Sequence, residues 1–325
     1  MLIIQTPLRV SLFGGGTDFP AYFLEHGGCV ISSAIDKFIF VTIKQRFDQK
    51  LRVGWTRTEM VDSVDEIHHT LIREAFRKTG LTQGVEITTM GDIPSEGSGL
   101  GSSSTVTVGS LHAMYAHQRQ LILSEKLAVE ACEIERDILQ SPIGMQDQYI
   151  AAYGGMRFIE FRTDGQVIPH TLELDTKTLR RLNDNLLLFF TGKTRKADKI
   201  LSEQKANIKQ RQSVLGEMKD IACTARDELL NGNVDAIGGL LHESWMLKKR
   251  LASQISNDYL DEMYETARAA GAIGGKIAGA GGGGFMLLYC RNGTQEDVRH
   301  ELQHLQELPF KLGQDGSKVI FDYHR

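Results

Sequence analysis

Fourteen of the 33 glycines in this chain fall in three short spans, residues 14–16, 97–101 and 271–284. Glycine has no Cβ, so such clusters mark backbone that must turn tightly or approach another backbone or a ligand closely. Elsewhere glycine is about as frequent as in any globular chain. The surplus is therefore read as three backbone segments required to approach one another, not as general flexibility.

Composition removes several function classes. The 37 basic and 41 acidic residues leave a net charge of -4, against the basic surface a nucleic-acid binder needs. The longest apolar runs, such as Phe285 to Cys290, fall far short of the ~18–20 residues of a membrane helix. MLIIQTPLRV lacks the basic, apolar and small-residue regions of a signal peptide. Cys29, Cys132, Cys223 and Cys290 are widely spaced with no CxxC, which argues against a zinc ribbon or a disulfide scaffold. The expectation is a cytoplasmic protein with neither nucleic-acid nor membrane partners. A homodimer is compatible with the sequence but does not follow from it.

Periodicity predicts strands at residues 8–13, 37–45 and 85–89 and helices over 63–78, 102–117 and 124–139, with Ser124 as N-cap of the last. Glu135 falls at the edge of that helix's apolar stripe. Further on, helices are expected near 195–209, 213–230, 234–252 and 258–270, alternating with strands near 186–190, 285–289 and 319–323. Strands and helices in both halves favour an α+β class with a boundary near residue 170, giving domains 1–170 and 171–325.

Four segments carry candidate chemistry. In PSEGSGLGSSST, Pro94 to Thr105, glycines on alternate positions precede a helix start. Free N–H groups there, with the helix dipole, favour an anion such as a triphosphate. The hydroxyls of Ser102, Ser103, Ser104 and Thr105 can also reach a magnesium ion. This is not a Walker loop, which needs a lysine. In RVSLFGGGTDF, Arg9 to Phe19, a strand runs into Gly14–Gly16. Asp18 there is either an acceptor for sugar hydroxyls or the aspartate of a surface turn. In ERDILQSPIGMQDQ, Glu135 to Gln148, two acids can divide labour between metal and proton; otherwise Glu135 is a solvated helix carboxylate and Asp147 a helix cap. KIAGAGGGGF, Lys276 to Phe285, contains a formal GxGxxG. A dinucleotide fingerprint needs a strand before it and a helix after, and here the order reads as helix then strand. A glycine-packed turn that admits another loop fits better.

Three further signals rank lower. His300 to His304 matches HExxH, but both histidines lie off the apolar stripe of Val298, Leu302 and Leu305. Asn292-Gly293-Thr294 is a glycosylation sequon without secretory context. Lys193 to Arg211 carries seven basic residues against two acidic ones. That is either a solvated helix face or, at Lys193 and Arg195 after a strand, a grip for an anion.

The three glycine segments in this order resemble the GHMP small-molecule kinases over nearly the whole chain. RVSLFGGGTDFPAYFLEHGG and FFTGKTRKADKIL look like the branch acting on D-glycero-D-manno-heptose 7-phosphate, itself similar to L-fucokinase. The resemblance implies a ribosomal-S5-domain-2-like N-terminal half and a ferredoxin-like C-terminal half with the active site between them. ATP phosphates would lie on Gly97, Gly99, Leu100, Gly101 and Ser102 to Thr105, with Mg2+ on Ser103 and Glu135. Asp147 would be the catalytic base with Arg9 beside it. Gly15, Gly16, Thr17 and Asp18 would meet the sugar, and Lys193 and Arg195 a distal phosphate. The reaction implied is phosphorylation of the anomeric hydroxyl to a 1,7-bisphosphate, in nucleotide-activated heptose synthesis for surface polysaccharide. Gly15-Gly16 replaces the Glu-His of galactokinase-like proteins, which argues against galactose. The stretch from Pro142 to Asp147 is one residue longer than in mevalonate kinase-like members, so the base assignment rests on local alignment. The alternatives are a kinase for a neutral sugar such as L-fucose, a catalytically silent sugar sensor, and decarboxylation as in the related diphosphate decarboxylases.

Overall fold

β1 (Leu2–Phe13) is the strand that organises the molecule. From Thr6 onward every residue is buried, because the strand is covered on both faces. It lies antiparallel to β2 (Gly28–Gln45) over almost its whole length. β2 is long enough to take two further partners on its other edge. Its first residues pair with β6 (Met156–Phe161) and its last with β5 (Val85–Gly91). β3 (Leu51–Gly54) runs parallel to β5 and pairs with β4 (Thr58–Val61), and β7 (Val167–Thr171) closes the edge beside β6. A second, antiparallel sheet is built from β8 (Leu186–Phe190), β9 (Ala272–Ile277), β10 (Phe285–Cys290) and β11 (Gln306–Glu307), in the order β11-β8-β10-β9. The computed structural model describes all residues except 94–96, 195–196, 292 and 324–325. Pro94 to Glu96 of the second glycine segment, Arg195, and Asn292 of the sequon therefore lie outside the described residues.

The α+β reading holds, and the helix Ser102–His117 spans the expected residues. It packs on β1 and β2 and is buried on most sides. That explains its unusual composition, since small Ser, Thr, Gly and Ala side chains let it sit close to the sheet. The helices Gln212–Leu230 and Asp235–Lys248 pack on each other. The first also touches β1 and β2, and the second covers β9. One continuous apolar core runs from Leu8 and Ile31 in the first sheet to Leu287 and Tyr289 in the second.

Four local expectations change. The strand expected at 319–323 is β12 (Lys318–Asp322), and it pairs with β1 rather than with the second sheet. The chain thus returns to its first half after residue 171. The helix expected over 63–78 is a short 3-10 turn, Val64–Glu66, followed by a helix only from Thr70 to Thr79. The His69 ring interrupts by capping, accepting from Ile72 N at 3.4 Å. The segment directly before the formal GxGxxG that begins at Gly279 is the strand β9, which follows the helix Asp258–Ala269. The glycines of that motif form the connection to β10, so the Rossmann reading fails on the missing helix after them. Finally, Ser124 begins its helix rather than capping it, and the α-helix ends at Cys132. Residues Glu133–Ile138 continue as a π-helix. The wider π turn rotates Glu135 from the stripe's edge into full burial, a distortion common at functional sites.

Candidate active site

A cavity of about 790 Å³ opens where the glycine segments converge. Its wall includes Gly15 and Gly16, Gly97 to Gly99, Gly101 to Ser103, Asp147, Lys248 and Gly279. The convergence depends on missing side chains. A Cβ on Gly99 would lie 2.5 Å from the carbonyl oxygen of Ala278, and one on Gly279 would lie 2.7 Å from the Gly99 Cα. Gly99 also has a φ of +79°, a region L-residues avoid. Two of the glycine segments are therefore in direct backbone contact, as the turn reading anticipated.

Arg9 projects from β1 into this junction and is 5% exposed. Its Nε and Nη2 donate to Asp147 Oδ1 and Oδ2 at 2.7 and 2.6 Å, a bidentate pair. Its Nη1 donates to the Gly99 carbonyl at 2.5 Å, and its backbone N–H to the Leu100 carbonyl at 3.0 Å. One guanidinium thus fixes the candidate base against the loop of Gly99 and Leu100. Asp147, in the first turn of the helix Gln146–Tyr153, keeps 24% side-chain exposure and lines the cavity. A planar fork suits such bidentate recognition.

Asp18 is buried beside this pair. Its Oδ1 accepts from Gly16 N at 2.8 Å, and its Oδ2 from the Gln146 backbone N and Nε2 at 3.3 and 3.1 Å. Burial pushes its pKa up, and the Asp147 charge adds to the rise, against the hydrogen bond from Gly16. Gly144 is required here, because a Cβ would fall 1.9 Å from Asp18 Oδ2. The carboxylate is an acceptor already shaped by three donors, at the cavity wall.

Glu135 sits behind the start of the helix Ser102–His117. Its Oε2 accepts from Ser104 Oγ and its Oε1 from Gln148 Nε2, both at 3.1 Å. Burial raises its pKa to about 7, and the Asp147 charge adds to the rise. The Oε1 atoms of Gln146 and Gln148 are buried without a hydrogen-bond partner among the described residues. The Glu135 carboxylate, held by neutral donors and in contact with the Gln148 amide whose oxygen is orphaned, is a hard-oxygen environment that fits a divalent cation. Among the described residues no three His, Cys, Asp or Glu side chains cluster as a metal site. Any such ion would draw further ligands from phosphate and water, as magnesium usually does.

Several residues expected at the site have other roles. Thr17 is fully buried, and its hydroxyl bonds to Gly14 O and to the backbone of Cys29. It braces the glycine turn from behind. Thr105 bonds the Pro7 and Gly101 carbonyls, and Leu100 is a core residue. Ser103 lines the cavity, but Ser104 is the serine in contact with Glu135. The reason is helical geometry: adjacent residues point about 100° apart, so only one of the two faces inward. Lys193 does not line the cavity; its ammonium lies 4.3 Å from the centre of the Tyr259 ring.

Two lysines escaped the sequence reading. Lys276 is fully buried and donates to the Ser11 and Leu12 carbonyls at 2.9 and 3.2 Å, pinning β9 to the end of β1. Desolvation pulls its pKa well below the usual value, and the nearby Lys248 and Arg9 charges act in the same direction. The available signal was a lone charge in the small and apolar run AIGGKI. Lys248 is 5% exposed, donates to the Gly279 carbonyl and lines the cavity. It ends a helix with no motif to single it out.

Comparison with known proteins identifies the family of the chain. Residues 66–155 match the model of the GHMP kinases N terminal domain, and residues 225–306 that of the GHMP kinases C terminal domain. The chain is 33% identical to the D-glycero-alpha-D-manno-heptose 7-phosphate kinase of Campylobacter jejuni, over 94% of this chain and 95% of that one. It is 26% identical to a bifunctional fucokinase/GDP-fucose pyrophosphorylase of Arabidopsis thaliana, covering 95% of this chain but 32% of that protein. Among solved structures, a D-glycero-D-manno-heptose 1-phosphate kinase from Bacteroides thetaiotaomicron superposes with a TM-score of 0.84 at 26% identity, each chain fully covered. Among the described residues no helix is long and apolar enough to cross a membrane.

Proposed function

The chain belongs to the GHMP kinases, and on that premise we propose that this ATP-dependent sugar kinase phosphorylates the anomeric hydroxyl of D-glycero-D-manno-heptose 7-phosphate. The product is the 1,7-bisphosphate, and the role is in nucleotide-activated heptose synthesis for surface polysaccharide. The observation that carries this reading is the bidentate Arg9–Asp147 pair, held between the phosphate loop and the buried Asp18. The relationship to the Campylobacter heptose 7-phosphate kinase supports the acceptor.

In phosphoryl transfer the protein mainly positions the reactants and stabilises charge. Asp147 accepts the proton of the attacking hydroxyl, and Arg9 fixes its carboxylate in the plane that hydroxyl approaches. The N–H groups from Gly99 to Ser103 cradle the nucleotide phosphates at the helix start. Asp18, with its donors already in place, accepts from a sugar hydroxyl and fixes the ring. Lys248 supplies positive charge on the Gly279 side of the cavity. Glu135 and Ser103 would hold Mg2+ only once the ion draws the buried Glu135 carboxylate from its Ser104 contact toward the cavity face that Ser103 lines. The metal's contribution, when bound, is to neutralise phosphate charge.

One observation favours the second reading, a neutral acceptor such as L-fucose. Lys193 packs on Tyr259 instead of lining the cavity, which leaves Arg9 and Lys248 as the described basic side chains in its wall, apart from His69. A coupled ADP-release assay with heptose 7-phosphate and with L-fucose separates the two. Turnover of fucose alone refutes the heptose reading.

A further inference from the structure

A second cavity, of about 720 Å³, lies away from the first, between the start of β2, the β6–β7 hairpin and the helix Gln212–Leu230. Cys29 and Cys223 meet in its wall. Their sulfurs are 3.8 Å apart although 194 residues separate them in sequence. Cys29 is buried in β2, with its Sγ also donating to the Lys219 carbonyl at 3.6 Å. Cys223 is partly exposed to the cavity. The other two cysteines, Cys132 and Cys290, are buried and take no part.

We propose that Cys29 and Cys223 form a reversible dithiol–disulfide site, with Cys223 as the attacking thiolate and Cys29 as the resolving thiol, and with a peroxide as the oxidant. The asymmetry of the pair supports this assignment. The contact between the two sulfurs lowers the Cys223 pKa to about 7 and raises that of Cys29. Arg226 adds to the lowering at Cys223, against burial and the carboxylates Asp220 and Asp227 on the same helix. Glu160, Arg162, His170 and Lys219 are the other charged or titratable groups around the cavity. A partly exposed, low-pKa thiol next to a second thiol has the features of a redox-active cysteine.

The chemistry balances without any group the protein lacks other than the peroxide. The Cys223 thiolate attacks one peroxide oxygen; the S–O bond forms, the O–O bond breaks, and the leaving hydroxide takes a proton. Cys29 sulfur then attacks Cys223 sulfur; the S–S bond forms, the S–O bond breaks, and hydroxide leaves with the Cys29 proton as water. Two thiols lose two electrons, and one peroxide becomes two waters. The sulfurs must close from 3.8 Å to about 2.05 Å. Cys29 is fixed in the sheet by pairing with Glu160 and by the two backbone bonds to Thr17, so the helix carrying Cys223 makes the approach. The resulting bond ties that helix to Cys29, whose backbone bonds to the Thr17 hydroxyl that braces the Gly14–Gly16 turn.

The test is peptide mapping by mass spectrometry of the full chain after brief exposure to hydrogen peroxide, with and without later dithiothreitol. The expected result is a loss of about 2 Da, a single linked peptide pair containing Cys29 and Cys223, and reversal by dithiothreitol. In Cys223→Ser, Cys29 should remain a free thiol under the same exposure. Stepwise oxygen addition at Cys223 with Cys29 still alkylatable would overturn the proposal, as would no reaction at either cysteine. Neither outcome depends on the kinase assignment, because the readout is mass and not turnover.

Discussion

Replacing Arg9 by methionine removes three hydrogen bonds but keeps an unbranched stem as far as the Nε position. Two of them go to Asp147, at 2.7 and 2.6 Å, and one to the Gly99 carbonyl at 2.5 Å. Truncating one partner of a buried charge pair costs about 3–5 kcal/mol. Asp147 keeps 24% side-chain exposure, so water recovers part of this and the lower figure, ~3 kcal/mol, applies. If the whole of that cost falls on the transition state, at about 1.4 kcal/mol per decade it sets an upper bound of roughly 150-fold on the fall in kcat/KM. Asp147→Asn alone should lower kcat by about 10²–10⁴-fold, the range for loss of a general base, while nucleotide still binds. If Arg9 acts through Asp147, adding Arg9→Met to Asp147→Asn should cost little more, within about threefold. The assay is coupled ADP release for wild type, both single variants and the double variant. A further loss of roughly 150-fold when Arg9→Met is added to Asp147→Asn would refute the reasoning, since Arg9 would then act independently of the aspartate.

Gly99→Ala should cost about 1–3 kcal/mol from its positive φ alone, with the clash on Ala278 added. Thermal melting should fall and nucleotide affinity should weaken; a variant unchanged in both would refute the close-packing account. Glu135 has a folded-state pKa raised from 4.5 to about 7. Its contribution to stability is therefore complete below about pH 4.5 and lost as pH rises through 7, a change of roughly 3 kcal/mol. Metal-free protein should melt lower at pH 8 than at pH 5 by more than Glu135→Gln does, and added Mg2+ should recover the difference only in wild type. Parallel pH profiles in the two proteins would exclude Glu135 as the source.

Much of this site was legible because its chemistry depends on backbone. Clustered glycines announce close approach before any coordinates exist, and Gly99 against Gly279 is that approach realised. Asp18 and Asp147 were readable because each sits next to such a cluster or a Pro-Gly loop, whereas Arg9 was indicated only by the resemblance to the family. What sequence could not supply was the direction of side chains within a motif. Ser103 and Ser104 are chemically identical neighbours, and only the packed helix decides which faces Glu135. Thr17 and Thr105 carry hydroxyls in the right motifs but spend them on backbone carbonyls. Lys193 lies in a basic run, yet the Tyr259 ring takes its ammonium. Long-range pairing was also beyond reach. β12 reads as a strand, but nothing local says that it joins β1 across more than 300 residues of chain. Lys276 was hidden for the same reason, since its partners Ser11 and Leu12 belong to the other end of the sequence.

Incubation with ATP, Mg2+ and D-glycero-D-manno-heptose 7-phosphate, followed by phosphorus NMR of the product, tests the central claim most directly. The account predicts a new phosphate signal coupled to the anomeric proton, beside an unchanged 7-phosphate, and its loss in Asp147→Asn. ADP release with a neutral sugar and none with the heptose phosphate would contradict it.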